Sequence, residues 1–315
     1  MQQLFKRLKQ QTKKKISHPA MVYHPEIKIL QVYNYINKID WGLRLYNIPS
    51  IWEKTKGSGI KILVLDTGYP THTDFNNSII KWKDFTGTNY IDTEGHATAV
   101  SGVIGARKNI MGVAPESILY AGKVLGKGGG NYNWLIEGIK WGISEKVDII
   151  NMSLGGSVSQ TSLRSIIQKA VNNNIIIIAA AGNEGKIRNN TINYPAKYPE
   201  TIAVGSINKN SKVSEFSSIG EELDFVGPGE RIFTTYLNNK YTVIDGTSFA
   251  APFISGIVAL MLSKHRKYGG KTPCRNQKEV KEHLIKAAID MGNPGKDIYY
   301  GWGRVDIPKL LAERV

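Results

Sequence analysis

The sequence predicts an α/β fold in three layers, with a mostly parallel central sheet and helices on both of its faces. Short apolar runs at 60–65, 118–124, 147–152, 175–181, 201–206 and 223–226 have the length and β-branched content of buried strands. Helical periodicities lie between some of them, with Leu135, Ile139 and Ile143 at fourfold spacing and Leu163, Ile166, Ile167, Ala170 and Val171 on one stripe. Repeated strand-helix-strand units of this kind bury a parallel sheet between helices. No internal repeat or low-complexity linker interrupts the chain, and 315 residues with 41% apolar content suffice for one large core.

Taken in order, the first 45 residues stand apart. Lys6, Arg7, Lys9, Lys13, Lys14, Lys15, Lys28 and Lys38 face only Glu26 and Asp40 within residues 1–40, a net +6 of the chain's +15. Two readings stand: an electrostatic arm for acidic surfaces or nucleic acid, and a solvated helix with linker. The second is preferred, so nucleic acid is not favoured as a partner. The first residues hold no apolar segment of signal-peptide length and no run approaches membrane-spanning length, so a cytoplasmic location without a membrane partner is expected.

The run 60–65 ends in Asp66-Thr67-Gly68, which puts an acid at the carboxyl end of a buried strand, where open α/β sheets place their sites. His96 opens a stretch of small residues suited to tight helix packing. Two glycine-rich segments, Gly126 to Gly130 and Ser153 to Gly156, lack bulk that would obstruct an extended chain. The run 175–181 delivers Asn183 between Gly182 and Gly185, as an amide donor or as a turn residue. Asp245-Gly246-Thr247-Ser248 then feeds an apolar helix over 249–261, with Ser248 in the first turn near unpaired N–H groups and the positive end of the dipole. Singly, Ser248 reads as an N-cap, Asp66 as a cap and His96 as structural. The single cysteine, Cys274, lies in a late polar loop and is incidental.

Together the residues suggest chemistry. A serine hydroxyl becomes nucleophilic when a neighbouring base takes its proton. Histidine does this near neutral pH, and a carboxylate behind it holds the tautomer and steadies the imidazolium. Asn183 and the Ser248 N–H would make a two-donor hole for the oxyanion.

Val64-Leu65-Asp66-Thr67-Gly68, Gly95-His96, Gly112-Val113-Ala114-Pro115, Met152 to Gly156, Ala181 to Gly185, Phe216-Ser217-Ser218 and Gly246-Thr247-Ser248 occur in this order. On these motifs the chain resembles the subtilisin-like serine proteases (subtilases, peptidase family S8) over residues 46–315. It resembles most the bacterial intracellular subtilisins, around Lys123 to Gly126, Trp134 to Gly138 and Glu145 to Ile150. The resemblance implies a subtilisin-like fold and a serine endopeptidase working through an acyl-enzyme. Asp66, His96 and Ser248 would form its triad and Asn183 its oxyanion donor. Gly128, Gly130, Ser153, Leu154 and Gly155 would pair with the substrate backbone, and Glu184 would sit at the rim of the S1 pocket. Phe249 stands where the family usually has methionine.

The implied role is broad-specificity intracellular proteolysis of polypeptide. The alternatives are a dedicated processing protease for one partner and, behind it, a catalytically silent peptide binder. The chemistry requires no cofactor. A structural calcium is compatible with the family, but the segment Gly105 to Gly112 is short and carries Arg107 and Lys108, and Asp74 alone is a poor cage. The family's strong calcium site is therefore expected to be absent or weakened. A homo-oligomer is compatible with the sequence. The expected division is a basic N-terminal extension, 1–45, and a catalytic domain, 46–315. Intracellular subtilisins carry a short extension that blocks the site until clipped; this one does not match their usual blocking motif but serves as a candidate short pro-segment.

Overall fold

The computed structural model describes residues 22–24, 28–34, 39–270 and 274–312. In chain order its elements are β1 (Lys28–Tyr33), α1 (Trp41–Leu45), α2 (Ile48–Ile51), β2 (Lys61–Asp66), a 3-10 turn (Thr73–Phe75), β3 (Ile79–Asp84), α3 (His96–Gly105), β4 (Ile118–Lys123), α4 (Tyr132–Ser144), β5 (Ile149–Met152), α5 (Thr161–Asn172), β6 (Ile176–Ala180), β7 (Ile202–Ile207), β8 (Phe225–Pro228), β9 (Ile232–Tyr236), β10 (Lys240–Asp245), α6 (Thr247–Tyr268), α7 (Gln277–Lys286), β11 (Ala288–Ile289), β12 (Arg304–Val305) and α8 (Ile307–Leu310).

Successive side chains of the central strands enter two different cores, which is why these strands read as unbroken apolar runs. Ile62 and Val64 of β2 join α3, α6 and α7, while Leu63 and Leu65 join α4 and α5. Among the described residues the large sheet has nine strands in the order β11-β12-β8-β7-β6-β5-β2-β4-β3, parallel except for the β11–β12 pair. All six expected strands are present, the last displaced from 223–226 to Phe225–Pro228. Edge strand β3 escaped the sequence reading because it is polar, with Lys81 and Lys83, and mostly exposed. Strands β9 and β10 form a hairpin whose turn residues Asn238 and Asn239 both have positive φ, the geometry of a type I′ turn.

Three expectations need correction. Helix α6 has 22 residues and is long and apolar enough to cross a membrane, although no such run was expected. It is a core helix, with its apolar window 94% buried, and it packs on α3 and on strands β5 to β8. Cys274 lies in a loop but is buried in the apolar core rather than in polar surroundings. The third concerns the arm, where residues 28–33 form a strand rather than a solvated helix. Ile29, Leu30, Val32 and Tyr33 give that stretch β-forming composition, and the free edge of β10 pairs with it.

An ion pair between the buried Asp224 and the half-buried Lys281 ties α7 to the large sheet. Lys281 Nζ lies 2.6 Å from Asp224 Oδ1, and Lys296 Nζ lies 3.8 Å from the same oxygen. Burial pushes the Asp224 carboxyl above its ordinary range, and the two ammonium groups oppose that push. The folded state thus holds this proton more tightly than the unfolded chain. The stability so conferred is present at low pH and lost as pH rises through the carboxylate range. Lys281→Met should deepen that loss, costing roughly 3 kcal/mol at neutral pH and clearly less in acid. Urea unfolding at about pH 4 and about pH 7 checks this, and an equal penalty at both would refute it.

Candidate active site

Strand β2 lies between β4 and β5, so the carboxyl end of the sheet opens a crevice beside Asp66. Asp66 Oδ1 accepts from His96 Nδ1–H at 2.7 Å and from Thr67 N–H at 2.7 Å. A carboxylate only accepts, so Nδ1 carries a proton, and in the neutral imidazole the lone pair is on Nε2. His96 is the first residue of α3 and is fully buried, and its Nε2 has no hydrogen-bond partner among the described residues.

Ser248 is the second residue of α6 and is 2% exposed. Its hydroxyl donates to the Ser153 carbonyl at 3.3 Å rather than to His96. His96 Nε2 and the Ser248 hydroxyl are thus not bonded to each other, as is common for such pairs in unliganded sites. Pro252, inside the same helix, has no N–H for the Ser248 carbonyl four residues back. The Ser153 hydroxyl fills that place, donating to the Ser248 carbonyl at 2.8 Å.

Asn183 follows β6, and its Oδ1 accepts from both the N–H and the hydroxyl of Thr247 at 2.9 Å. With the oxygen fixed, the NH₂ end is left to donate. It lies so near Gly246, φ 152°, that an added Cβ would come within 3.3 Å of Asn183 Nδ2. Glycine is thus required at the approach to the serine.

A network that the sequence reading missed sits behind the histidine. Asp92 is buried, and its Oδ1 accepts from the Thr67 hydroxyl at 2.9 Å and from the N–H groups of Glu94 and Gly95 at 3.0 and 2.8 Å. Its Oδ2 takes both the N–H and the hydroxyl of Thr98, at 2.8 and 2.6 Å. One carboxylate thereby locks the entry to α3 to the loop beyond Asp66. The detectable signal was an acid shortly before a helix start, in Asp92-Thr93-Glu94-Gly95-His96.

The cleft contains part of the chain itself. Val22 N–H donates to the Gly130 carbonyl at 3.3 Å and Gly130 N–H returns to Val22 at 2.8 Å. Tyr23 N–H donates to the Gly155 carbonyl at 2.8 Å and Gly155 N–H returns to Tyr23 at 2.9 Å. An extended segment therefore runs between the two glycine-rich segments, antiparallel to both. His24 follows, with its ring stacked on His96 at 4.9 Å and 21° and its Nε2–H donating to Glu94 Oε2 at 3.1 Å. Gly129 backs Tyr23, since a Cβ there would meet the tyrosine ring at 2.9 Å. Gly128 stands at the turn with nothing near its missing side chain.

Beside this segment is a cavity of about 410 Å³ lined by Tyr23, Leu154, Gly155, Ala180 and Glu184. The Glu184 carboxylate accepts from Asn193 Nδ2 and from the Ser218 hydroxyl, both at 2.7 Å. Asp74 is away from the cleft. Its carboxylate accepts from the N–H groups of Asn109 and Ile110 at 3.2 and 3.0 Å and from the Tyr241 hydroxyl at 3.1 Å.

A doubly covered parallel sheet with an Asp–His pair, a helix-borne serine and a strand-forming cleft defines a class of protein, and sequence comparison agrees. The subtilase family profile, Peptidase S8, matches residues 57–303. The chain is 44% identical over 295 residues to the major intracellular serine protease of Bacillus subtilis, covering 89% of this chain and 92% of that protein. It is 39% identical over 282 residues to the intracellular serine protease of Paenibacillus polymyxa, covering 85% and 86%. Subtilisin E of Bacillus subtilis is 38% identical over 297 residues, covering 92% and 75%. The chain belongs to the subtilase family and is a serine endopeptidase.

Proposed function

We propose that this chain is an intracellular endopeptidase whose own N-terminal arm fills its cleft until it is removed. The observation that carries this reading is the four-bond pairing of Val22 and Tyr23 with Gly130 and Gly155, which ends with His24 over His96. A substrate would take the same path, with Gly130 and Gly155 reading its main chain. The names of two relatives support the intracellular placing.

In the proposed mechanism His96 Nε2 takes the Ser248 proton while Oγ attacks the substrate carbonyl carbon. The oxyanion meets Asn183 Nδ2 and the Ser248 N–H. His96 then passes the proton to the leaving amine, the C–N bond breaks, and water later hydrolyses the ester by the reverse roles. Asp66 keeps the imidazole in the productive tautomer throughout. No cofactor takes part. We assign no calcium to Asp74, whose carboxylate already takes three donors.

Asn183→Ala should lower kcat by about 10²–10³ with little change in KM, the range set by loss of the corresponding donor in subtilisin. Progress curves on a fluorogenic peptide measure it, and a drop below about threefold would remove Asn183 from the oxyanion hole. Glu94 takes the ring N–H of His24 beside His96, whereas Glu184 shares the cavity lining with Arg188 and Lys197. Peptides with His or Lys at the residue over His96 should be cut faster than those with Glu, and Glu94→Gln should flatten that preference. Equal cleavage of matched Lys and Leu peptides at the cavity position, unaltered by Glu184→Gln, would take Glu184 out of specificity.

The test of the overall reading is hydrolysis of casein by a chain lacking residues 1–24. Turnover there supports general proteolysis. Cleavage confined to a few sites in one partner would favour the dedicated processing protease.

A further inference from the structure

The part of the arm that follows the cleft is built differently from the part inside it. Strand β1 pairs antiparallel with β10 from Lys28↔Asp245 to Tyr33↔Tyr241, with a bulge between Ile29 and Gln31. The Thr242 hydroxyl adds a bond to the Gln31 carbonyl at 2.9 Å. Leu30 and Tyr33 cover the small core of Ala106, Ile110, Phe233, Tyr241 and Val243. Downstream, Asp40 caps α1 at the Gly42 N–H and also accepts from the Phe233 N–H of β9 at 2.9 Å. A cut anywhere between His24 and Lys28 would free the chain before it, while β1 would stay covalently joined to α1.

What β1 holds matters for catalysis. Strand β10 runs directly into Gly246, Thr247 and Ser248. Its other neighbour, β9, donates the Thr234 and Thr235 hydroxyls to the carbonyls of Ala99 and Thr98 at 2.8 and 2.7 Å, inside the helix that His96 opens. The three-stranded sheet β1-β10-β9 therefore reaches the serine through one strand and the histidine helix through the next. Without β1, β10 becomes an edge with an uncovered apolar face.

We propose that the arm is two devices: a removable plug ending at His24, and a retained brace, β1, that keeps β10 and β9 in place and so sets Ser248 against His96. This rests on the arm-in-cleft reading above, and it separates the end of inhibition from the loss of the arm. Residues of the brace are positioning residues, since none touches the substrate.

The experiment compares three forms: the full chain, a chain beginning at Pro25 and a chain beginning at Ile39. Beginning at Pro25 should give the highest activity. Beginning at Ile39 should lower kcat by about tenfold or more relative to the Pro25 form, with KM within about threefold, because a displacement near 1 Å suffices for such a loss. A synthetic peptide of residues 28–34, added to the Ile39 form, should restore most of the kcat expressed per active site titrated by a burst, a readout that a change in the folded fraction alone would not move. If the Ile39 form does not fold, Leu30→Ser with Tyr33→Ser in the Pro25 form should give the same fall in kcat. Equal kcat for the Pro25 form and these brace variants, or no rescue by the peptide, would overturn the proposal. A Pro25 form no more active than the full chain would instead count against the plug reading.

Discussion

A chain beginning at Pro25 is expected to hydrolyse peptides about 10²-fold faster than the full chain at limiting substrate. The plug is tethered a few residues from its groove, so its effective concentration is about millimolar, and a free-peptide affinity of about 10 μM gives that suppression. Its own contacts make such an affinity reasonable: four backbone bonds, the stack of His24 on His96 and the pair with Glu94. The fall in apparent KM should carry most of the change, since a plug competes with substrate for the same strands. Tyr23→Pro in the full chain removes the N–H that bonds Gly155 and should move activity in the same direction. Initial rates over a substrate series test this. Activity unchanged by either alteration would mean that the arm does not obstruct the cleft.

Replacing Ser248 with alanine in the Pro25 form should lower kcat by about 10⁴–10⁶ while leaving peptide affinity nearly unchanged, by analogy with subtilisin, where loss of the serine or the histidine has effects of this size. His96→Ala should be similar, and the double variant should add little, because the residues act as one unit. In the proposed mechanism the residual rate belongs to the Asn183 hole and to binding. Asp92→Ala offers a milder comparison. It leaves the N–H groups of Glu94, Gly95 and Thr98 without their acceptor, which loosens the entry to α3 without removing a reacting group. A Ser248→Ala enzyme that kept a tenth of its activity would show that another group attacks.

The sheet was legible because its strands are buried on both faces, so β2, β4, β5, β6 and β7 appear as apolar runs with little register error. Asp66, His96, Asn183 and Ser248 stand out in the sequence as candidates because each sits at an element boundary in a distinctive small-residue setting. The state of the site was less legible. No sequence pattern says that the Ser248 hydroxyl turns to the Ser153 carbonyl while the Ser248 carbonyl, left without an N–H donor by Pro252, takes the Ser153 hydroxyl.

The arm was the largest misreading. Its lysines dominate composition, while the strand-forming stretch Lys28–Tyr33 has a partner more than two hundred residues away, in β10. Pairing over such a distance leaves no periodic mark. A deletion of residues 1–40, the boundary that charge suggests, would also have removed β1 along with the plug. Glu94 and Asp92 were passed over for a different reason: acids shortly before a helix start are visible in the sequence, but how many donors each one takes is not.

Labelling by a fluorophosphonate tests the central claim most directly, since the probe phosphonylates only a serine whose proton has a base to accept it. The full chain, the Pro25 form and the Pro25 form with Ser248→Ala are compared at one probe concentration. Slow labelling of the full chain, rapid labelling of the Pro25 form and none of the Ser248→Ala form is the predicted result. Equal labelling of the first two would contradict the plug, and labelling that survives Ser248→Ala would contradict the nucleophile.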